Sequence, residues 1–327
     1  DNKYELKSLL GVGGSSKVFS AVNRSDSNEY AVKVIRKDKN YTKELAIKLI
    51  ELEVHTMLSL GSHPNIVNIV ESNAHGVARL PVTGLEEVKY IVLEKCAHGS
   101  LSKYIKYTGP LEEQVGKFVF FQLCNAVNFM HSQEFVHLDI KLDNILLDEW
   151  FNVKLADLGI ALCAKNTSGY IAHRRGTPKY MAPEVDKASD KAPFSVFKAD
   201  IFSLGVCLHL LLFGEYPSTS VTLEKDSTQH SSEESRACAA DAMDSAFSSK
   251  AFDQFFVSKS CRDLLEKMMS INPRERPTVQ EILNHPWFTE DVPENLAETV
   301  YLEMEARTSF MNDAKKEASL FPLEDDI

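Results

Sequence analysis

The chain has 327 residues, 44% of them hydrophobic, enough for one large domain or two lobes sharing a cleft, which excludes disorder throughout. Its 47 acidic against 36 basic side chains give a formal charge of -11, so a broad nucleic-acid surface is not expected. No uninterrupted apolar run approaches the roughly 20 residues of a bilayer span, and residues 1–10 lack the basic start and apolar stretch of a secretory signal. A soluble protein without membrane partners is expected. The first residue is aspartate rather than methionine, which leaves a longer parent chain open. Cys96, Cys124, Cys163, Cys207, Cys238 and Cys261 show neither zinc-site spacing nor the density of a disulfide scaffold, pointing to reduced thiols and a cytoplasmic or nuclear location.

In chain order, residues 3–10 read as a strand, followed by the turn residues Gly11, Gly13 and Gly14, alternating Val18 and Ala21, and a strand over 29–35. From 41 to 60 the apolar Leu45, Leu49, Leu52, Met57 and Leu60 recur at helical spacing and stop at Gly61. Strands follow at 66–71 and 88–94, with a polar, glycine-containing surface loop between them. After Gly99 the pattern turns helical, most clearly over 111–131, where Val115, Phe118, Val119, Leu123, Val127 and Met130 line up. A β-rich lobe thus precedes a helical one, and a ligand cleft is expected at their junction between 94 and 99. Residues 217–240, rich in Ser, Thr and acids, read as a loop or partly disordered insertion. Beyond Phe288 the chain is acidic, and Leu296, Val300, Leu302, Met304 and Phe310 form an irregular apolar stripe expected to dock on the domain.

Three polar constellations stand out. Gly11 to Val18, reading GVGGSSKV, lies between two strands, where glycines let backbone N–H groups approach phosphate oxygens; alone, such a turn is more often only a hairpin. Lys33 sits in an apolar strand after Ala31 and Val32, where burial demands an anionic partner. Glu53 on the following helix is the preferred partner and Glu51 its competitor on another face. Finally, His137 to Asn144, reading HLDIKLDN, precedes the strand 145–147, and Asp157-Leu158-Gly159 follows the apolar 153–156. A hairpin there would hold Asn144 and Asp157 on one side of a cavity as two oxygen ligands, a set that suits Mg²⁺ on nucleotide phosphates, with Asp139 free to accept a hydroxyl proton.

Over residues 4–288 these motifs, together with APE at Ala182 to Glu184, resemble the eukaryotic protein kinase family in its serine/threonine branch. GSHPNIV at Gly61 to Val67 resembles the calcium/calmodulin-dependent and related kinases, although the tail lacks a basic calmodulin-binding helix. The resemblance implies ATP and Mg²⁺ as cofactors, with Gly11, Gly13, Ser15 and Ser16 in the loop over the phosphates and Lys33 and Glu53 as the phosphate-orienting pair. It further implies Asp139 and Lys141 as catalytic groups and Asn144 and Asp157 as metal ligands. Val18, Ala31 and Leu146 would sandwich the base, Leu93 would stand at the rear of its pocket, and the backbone from Glu94 to Cys96 would bind adenine. Glu184 would pair with Arg276, and Asp200 would support the catalytic loop from below.

Some positions depart from the family pattern. Ser16 replaces a glycine, Leu158 the usual phenylalanine and Phe202 the usual tryptophan, all of which predict altered packing or loop freedom rather than lost chemistry. Leu138 replaces the arginine that receives an activation-loop phosphate, so phosphate on Thr167, Ser168 or Tyr170 would need another cation, with Arg174, Arg175 and Lys179 nearby in sequence. Asp143 matches an acidic site for a basic side chain upstream of the target hydroxyl, while a second such site is Leu210, leaving a weak basic preference. The expected architecture is an α+β, two-lobed kinase-like fold: a β-rich nucleotide lobe over 1–93, a helical catalytic lobe over 94–288 and an acidic extension over 289–327. That extension would dock on the domain or receive a regulatory partner. The expected function is protein Ser/Thr phosphorylation, the alternative a pseudokinase scaffold or nucleotide-binding regulatory module.

Overall fold

The computed structural model describes residues 3–13, 16–35, 43–80, 84–217 and 257–320. Gly14, Ser15, Tyr41 and residues 218–240 of the expected insertion lie outside them. The first lobe is a five-stranded antiparallel sheet in the order β1-β2-β3-β5-β4, from β1 (Tyr4–Val12), β2 (Ser16–Asn23), β3 (Glu29–Ile35), β4 (Ile69–Leu80) and β5 (Gly84–Glu94). Helix α1 (Lys43–Leu60) packs against β4 and β5. The apolar residues of the central strands close a small core of Ala21, Val32 and Val92.

The expected loop after residue 71 is instead a long hairpin, with Gly76 opposite Val88 and Leu80 opposite Gly84. Its alternation is hidden in the sequence because both faces of the outer strand carry polar groups and even Val70 and Val77 are exposed. Gly76 there makes room for a neighbour: an added Cβ would lie 2.3 Å from the Tyr90 ring.

The second lobe is built on α3 (Glu113–Ser132) and α5 (Val196–Phe213), with α2 (Leu101–Thr108), α4 (Pro183–Asp186), α6 (Lys259–Met268) and α7 (Val279–Leu283) around them. Helix α5 is long and apolar enough to cross a membrane by composition, yet 78% of it is buried within the fold. Short strands complete the lobe: β6 (Gly99–Ser100), β8 (Ile145–Leu147) and β9 (Val153–Leu155) form one sheet, while β7 (Phe135–Val136) pairs β10 (Leu162–Cys163) and β11 (Tyr170–Ile171) pairs β12 (Phe194–Ser195). The lobes share a backbone seam, where Val67 N–H donates to Leu155 O at 2.9 Å and Leu155 N–H to Asn65 O at 2.8 Å. Met57, Leu60 and Ile66 carry the main core across that seam.

Helix α8 (Leu296–Leu320) lies against α2 and α3. Val300, Met304 and Met311 are buried, whereas Leu302 and Phe310 point to solvent, which corrects the expected stripe. The 3.6-residue period accounts for the difference, since residues 300, 304 and 311 share one face that 302 and 310 do not.

Candidate active site

The turn between β1 and β2 is drawn in by a hydrogen bond from Gly13 N–H to Ser16 O at 2.8 Å, with Gly11 opposite Val18. Ser16 is buried and already paired opposite Ile35 as the first residue of β2; its φ is not positive, so that position does not require glycine. Ala31 pairs across β3 and β5 with Leu93, and half-buried Val18 pairs with Lys33. Below them, Leu146 is half-buried between the fully buried Ile145 and Leu147, so alternation turns it to the opposite face of β8, away from the core. Cys96, on the linker after β5, is an inert thiol: burial, aided by the nearby Glu94 carboxylate, pushes its pKa up to about 12.

Lys33 Nζ donates to both oxygens of Glu53 at 2.7 and 2.8 Å and to Asp157 Oδ1 at 2.8 Å. Glu51 is exposed on another face of α1, which decides between the two glutamates. Burial works against the Lys33 ammonium, but Glu53 and then Asp157 outweigh it and hold its pKa above the ordinary lysine value. Burial raises Glu53, with Lys33 pulling back only in part. Burial would also lift Asp157, but Lys33 more than offsets it and keeps the carboxyl below the usual range. The Asp157 side chain is 48% exposed, and its Oδ2 has no partner among the described residues.

The segment from His137 to Asn144 is held from beneath. Fully buried Asp200 accepts from the N–H of His137 at 2.9 Å and of Leu138 at 2.8 Å, and His131 Nε2 lies 2.9 Å from the same carboxylate. His137 Nδ1 accepts from Asp139 N–H at 3.2 Å, which leaves the ring proton on Nε2, 3.1 Å from Ala156 O. Leu138 takes a left-handed φ of 63° and is buried. Gly176 closes over it with φ of 100°, so near that a Cβ would stand 2.4 Å from Leu138 O.

Above this support, Asp139 Oδ2 accepts from Lys141 Nζ at 2.7 Å, and Oδ1 accepts from Thr177 Oγ1 at 2.7 Å. Thr177 in turn accepts from Lys141 at 2.9 Å, so one hydroxyl spans the acid and the cation. Asn144 Nδ2 donates to Asp139 O at 2.9 Å, leaving its amide oxygen without a partner among the described residues. Asp143 is exposed, while Leu210 is buried.

The surrounding frame includes groups that sequence reasoning passed over. The Glu94 side chain meets Lys154 Nζ at 3.0 Å from both oxygens and accepts from Asn68 N–H at 2.7 Å, locking the start of the linker to β9. Lys154 carries the same signal as Lys33, a lone lysine in an apolar strand. Buried Arg276 makes the implied two-pronged pair with Glu184 at 2.6 and 2.8 Å, and its guanidinium lies 5.0 Å over the Phe202 ring. Leu158 is buried in the main core, in a cavity wall with Met57 and Leu60. Arg174 pairs with Asp186 at 3.0 Å, and Lys179 Nζ lies 4.7 Å over the Tyr216 ring.

A β-rich lobe, a helical lobe and a row of Lys33, Glu53, Asp139, Lys141, Asn144 and Asp157 between them define a phosphotransfer domain. The family model described as protein kinase domain matches residues 4–288, and the chain belongs to that family. It is similar to "Sperm motility kinase 2B" of Mus musculus, 30% identical over 288 residues, covering 88% of this chain and 52% of that protein. "Meiosis-specific serine/threonine-protein kinase mek1" of Schizosaccharomyces pombe is 30% identical over 295 residues, covering 86% of this chain and 58% of that protein. "CBL-interacting protein kinase 31" of Oryza sativa subsp. japonica is 33% identical over 291 residues, covering 88% of this chain and 57% of that protein. The chain thus spans about half the length of the curated relatives it matches.

The family uses ATP with Mg²⁺. Two open oxygens, on Asn144 and Asp157, fit an ion that keeps several waters and takes few protein ligands; among the described residues no three His, Cys, Asp or Glu gather as a closed metal cage.

Proposed function

We propose that this chain is a serine/threonine protein kinase that transfers the γ-phosphoryl group of ATP to protein hydroxyls. The observation that carries the reading is the pair of polar groups with open oxygens, Asn144 and Asp157, flanked by the buried Lys33–Glu53 pair on one side and by Asp139–Lys141 on the other. In this reading Lys33 binds nucleotide phosphate while Glu53 fixes its ammonium. Asn144 and Asp157 hold Mg²⁺, which supplies charge neutralisation on the transferring phosphate. Asp139 orients the attacking hydroxyl and accepts its proton, and Lys141 steadies the charge that develops in transfer. Gly11, Gly13, Ser15 and Ser16 cover the phosphates; Val18, Ala31, Leu93 and Leu146 enclose the base, which the backbone from Glu94 to Cys96 binds.

Protein substrates are favoured over nucleic acid by the charge of -11. Exposed Asp143 supports a weak preference for a basic residue upstream of the target, limited by the buried Leu210. Free thiols at Cys96, Cys124, Cys163, Cys207 and Cys261 support a cytoplasmic or nuclear site. The C-terminal extension serves as a docking element on the domain itself or for a regulatory partner. Incubating purified protein with γ-labelled ATP, Mg²⁺ and a degenerate Ser/Thr peptide library tests the reading; no transfer above an Asp139→Asn control would overturn it.

A further inference from the structure

Helix α8 begins beyond residue 288, where the family match ends, yet it is wired into the segment joining the lobes. The half-buried Tyr301 ring meets Phe151 edge-on at 5.5 Å. Phe151 is buried in the turn between β8 and β9 and takes a φ of 62°, a conformation costly for a bulky side chain. Asp148 holds that turn, accepting from Trp150 N–H at 2.9 Å and Asn152 N–H at 2.8 Å. On its other side the Phe151 ring stacks on His98 at 3.9 Å and 24°, and His98 N–H donates to Leu147 O at 3.1 Å. His98 lies on the linker directly before β6 and α2.

A second clamp holds the far end of α2. Arg307 Nη1 donates to Thr108 O at 3.2 Å and Gly109 O at 3.0 Å, and Nη2 donates to Pro110 O at 2.8 Å. Those carbonyls sit at the negative end of α2, where a guanidinium is favoured. Glu303 fixes the same guanidinium through Nε at 2.8 Å, and Tyr104, between the clamped ends of α2, places its Oη 2.7 Å from Thr308 Oγ1. The linker and α2 are thereby gripped at both ends by one helix.

We propose that α8 is a positioning element for the nucleotide site, fixing the linker through the rings Tyr301, Phe151 and His98 and through the Arg307 clamp. The proposal rests on the reading that this linker carries the adenine. Aromatic contacts of this kind predict that Tyr301→Ala raises both the KM for ATP and the Kd of Mg²⁺-ATP about three- to tenfold while kcat stays within about twofold. Tyr301→Phe keeps the ring and retains the parent KM, and Leu302→Ala, on the exposed face of α8, changes nothing. Tyr301 meets Phe151 and Phe151 stacks on His98 in one chain of rings, so Tyr301→Ala combined with His98→Ala is no worse than the stronger single change.

The experiment measures ATP calorimetry and peptide turnover on the full chain alongside amide hydrogen exchange of His98 and Gly99. Faster exchange at those amides in Tyr301→Ala and Arg307→Ala, with β4 and β5 unaffected, is the expected result. Unchanged ATP affinity and unchanged linker exchange in a folded Tyr301→Ala protein would overturn the proposal, as would additive effects in the double variant. If the parent chain binds no Mg²⁺-ATP, the kinase reading fails, and hydrogen exchange still decides whether α8 positions the linker.

Discussion

Removing every phosphate from the activation segment is expected to leave the peptide-kinase rate within about threefold, or ~0.7 kcal/mol of transition-state stabilisation. A phosphate there has no arginine before Asp139 to meet, since Leu138 is buried under Gly176, and Arg174 already pairs with Asp186. Order comes from backbone bonds instead. Besides the β10–β7 and β11–β12 pairs, Ala164 N–H donates to Glu134 O at 2.7 Å, Gly169 N–H to Ala164 O at 3.0 Å and Val196 N–H to Gly169 O at 3.0 Å. At about 0.5–1.5 kcal/mol net apiece, these three bonds contribute about 1.5–4.5 kcal/mol. That range brackets the ~2.7 kcal/mol behind a 100-fold dependence on phosphate. The assay is peptide turnover by phosphatase-treated enzyme, with mass spectrometry confirming that Thr167, Ser168, Tyr170 and Thr177 are unmodified. A loss of about 100-fold or more, restored by rephosphorylating the segment, would refute the reasoning.

Asp157→Ala should abolish productive Mg²⁺-ATP use, whereas Asp139→Ala should impair transfer far more than nucleotide affinity; calorimetry beside turnover separates them, and undiminished turnover in either defeats the assigned roles. Arg276→Ala leaves Glu184 unpaired and opens a buried site under Phe202, so it should cost about 3–5 kcal/mol in urea unfolding, a loss below about 1 kcal/mol contradicting the geometry. With Cys96 raised to about 12, its thiolate is scarce at pH 8.5 and grows about tenfold per pH unit above it. Iodoacetamide labelling followed by peptide mass spectrometry should rise over that whole range, and half-maximal labelling near pH 9 would show an ordinary thiol.

The chemistry was more legible in the sequence than the architecture around it. A lone lysine in an apolar strand needs an anion wherever the chain places one, and Lys33 finds Glu53. The same argument applied to Lys154 would have found Glu94, whose side chain braces the linker although only its backbone was expected to matter. Thr177 lies five residues before the APE run, but its bridge between Asp139 and Lys141 depends on a turn of the segment that spacing does not encode. The β4–β5 hairpin escaped because β4 leaves Val70 and Val77 exposed while Glu71 and Asn73 are half-buried, which erases the apolar alternation that betrays a strand. For α8 the residue types were visible and the face was not, because Leu302 and Phe310 break the helical period that Val300, Met304 and Met311 obey.

The seam at Asn65, Val67 and Leu155 also sets how the lobes can move. The linker is a second backbone tie, and with two such ties the opening of the cleft is a swing rather than a slide, resisted off the axis by the Lys33–Asp157 bond. The β1 edge lies four strand spacings from β4, beside the seam, a lever of about 19 Å at ~4.8 Å per spacing. A rotation of about 10° therefore carries the glycine turn about 3 Å while the amides on the axis scarcely shift. The β1 edge, which ends at the glycine turn, travels furthest in such a swing.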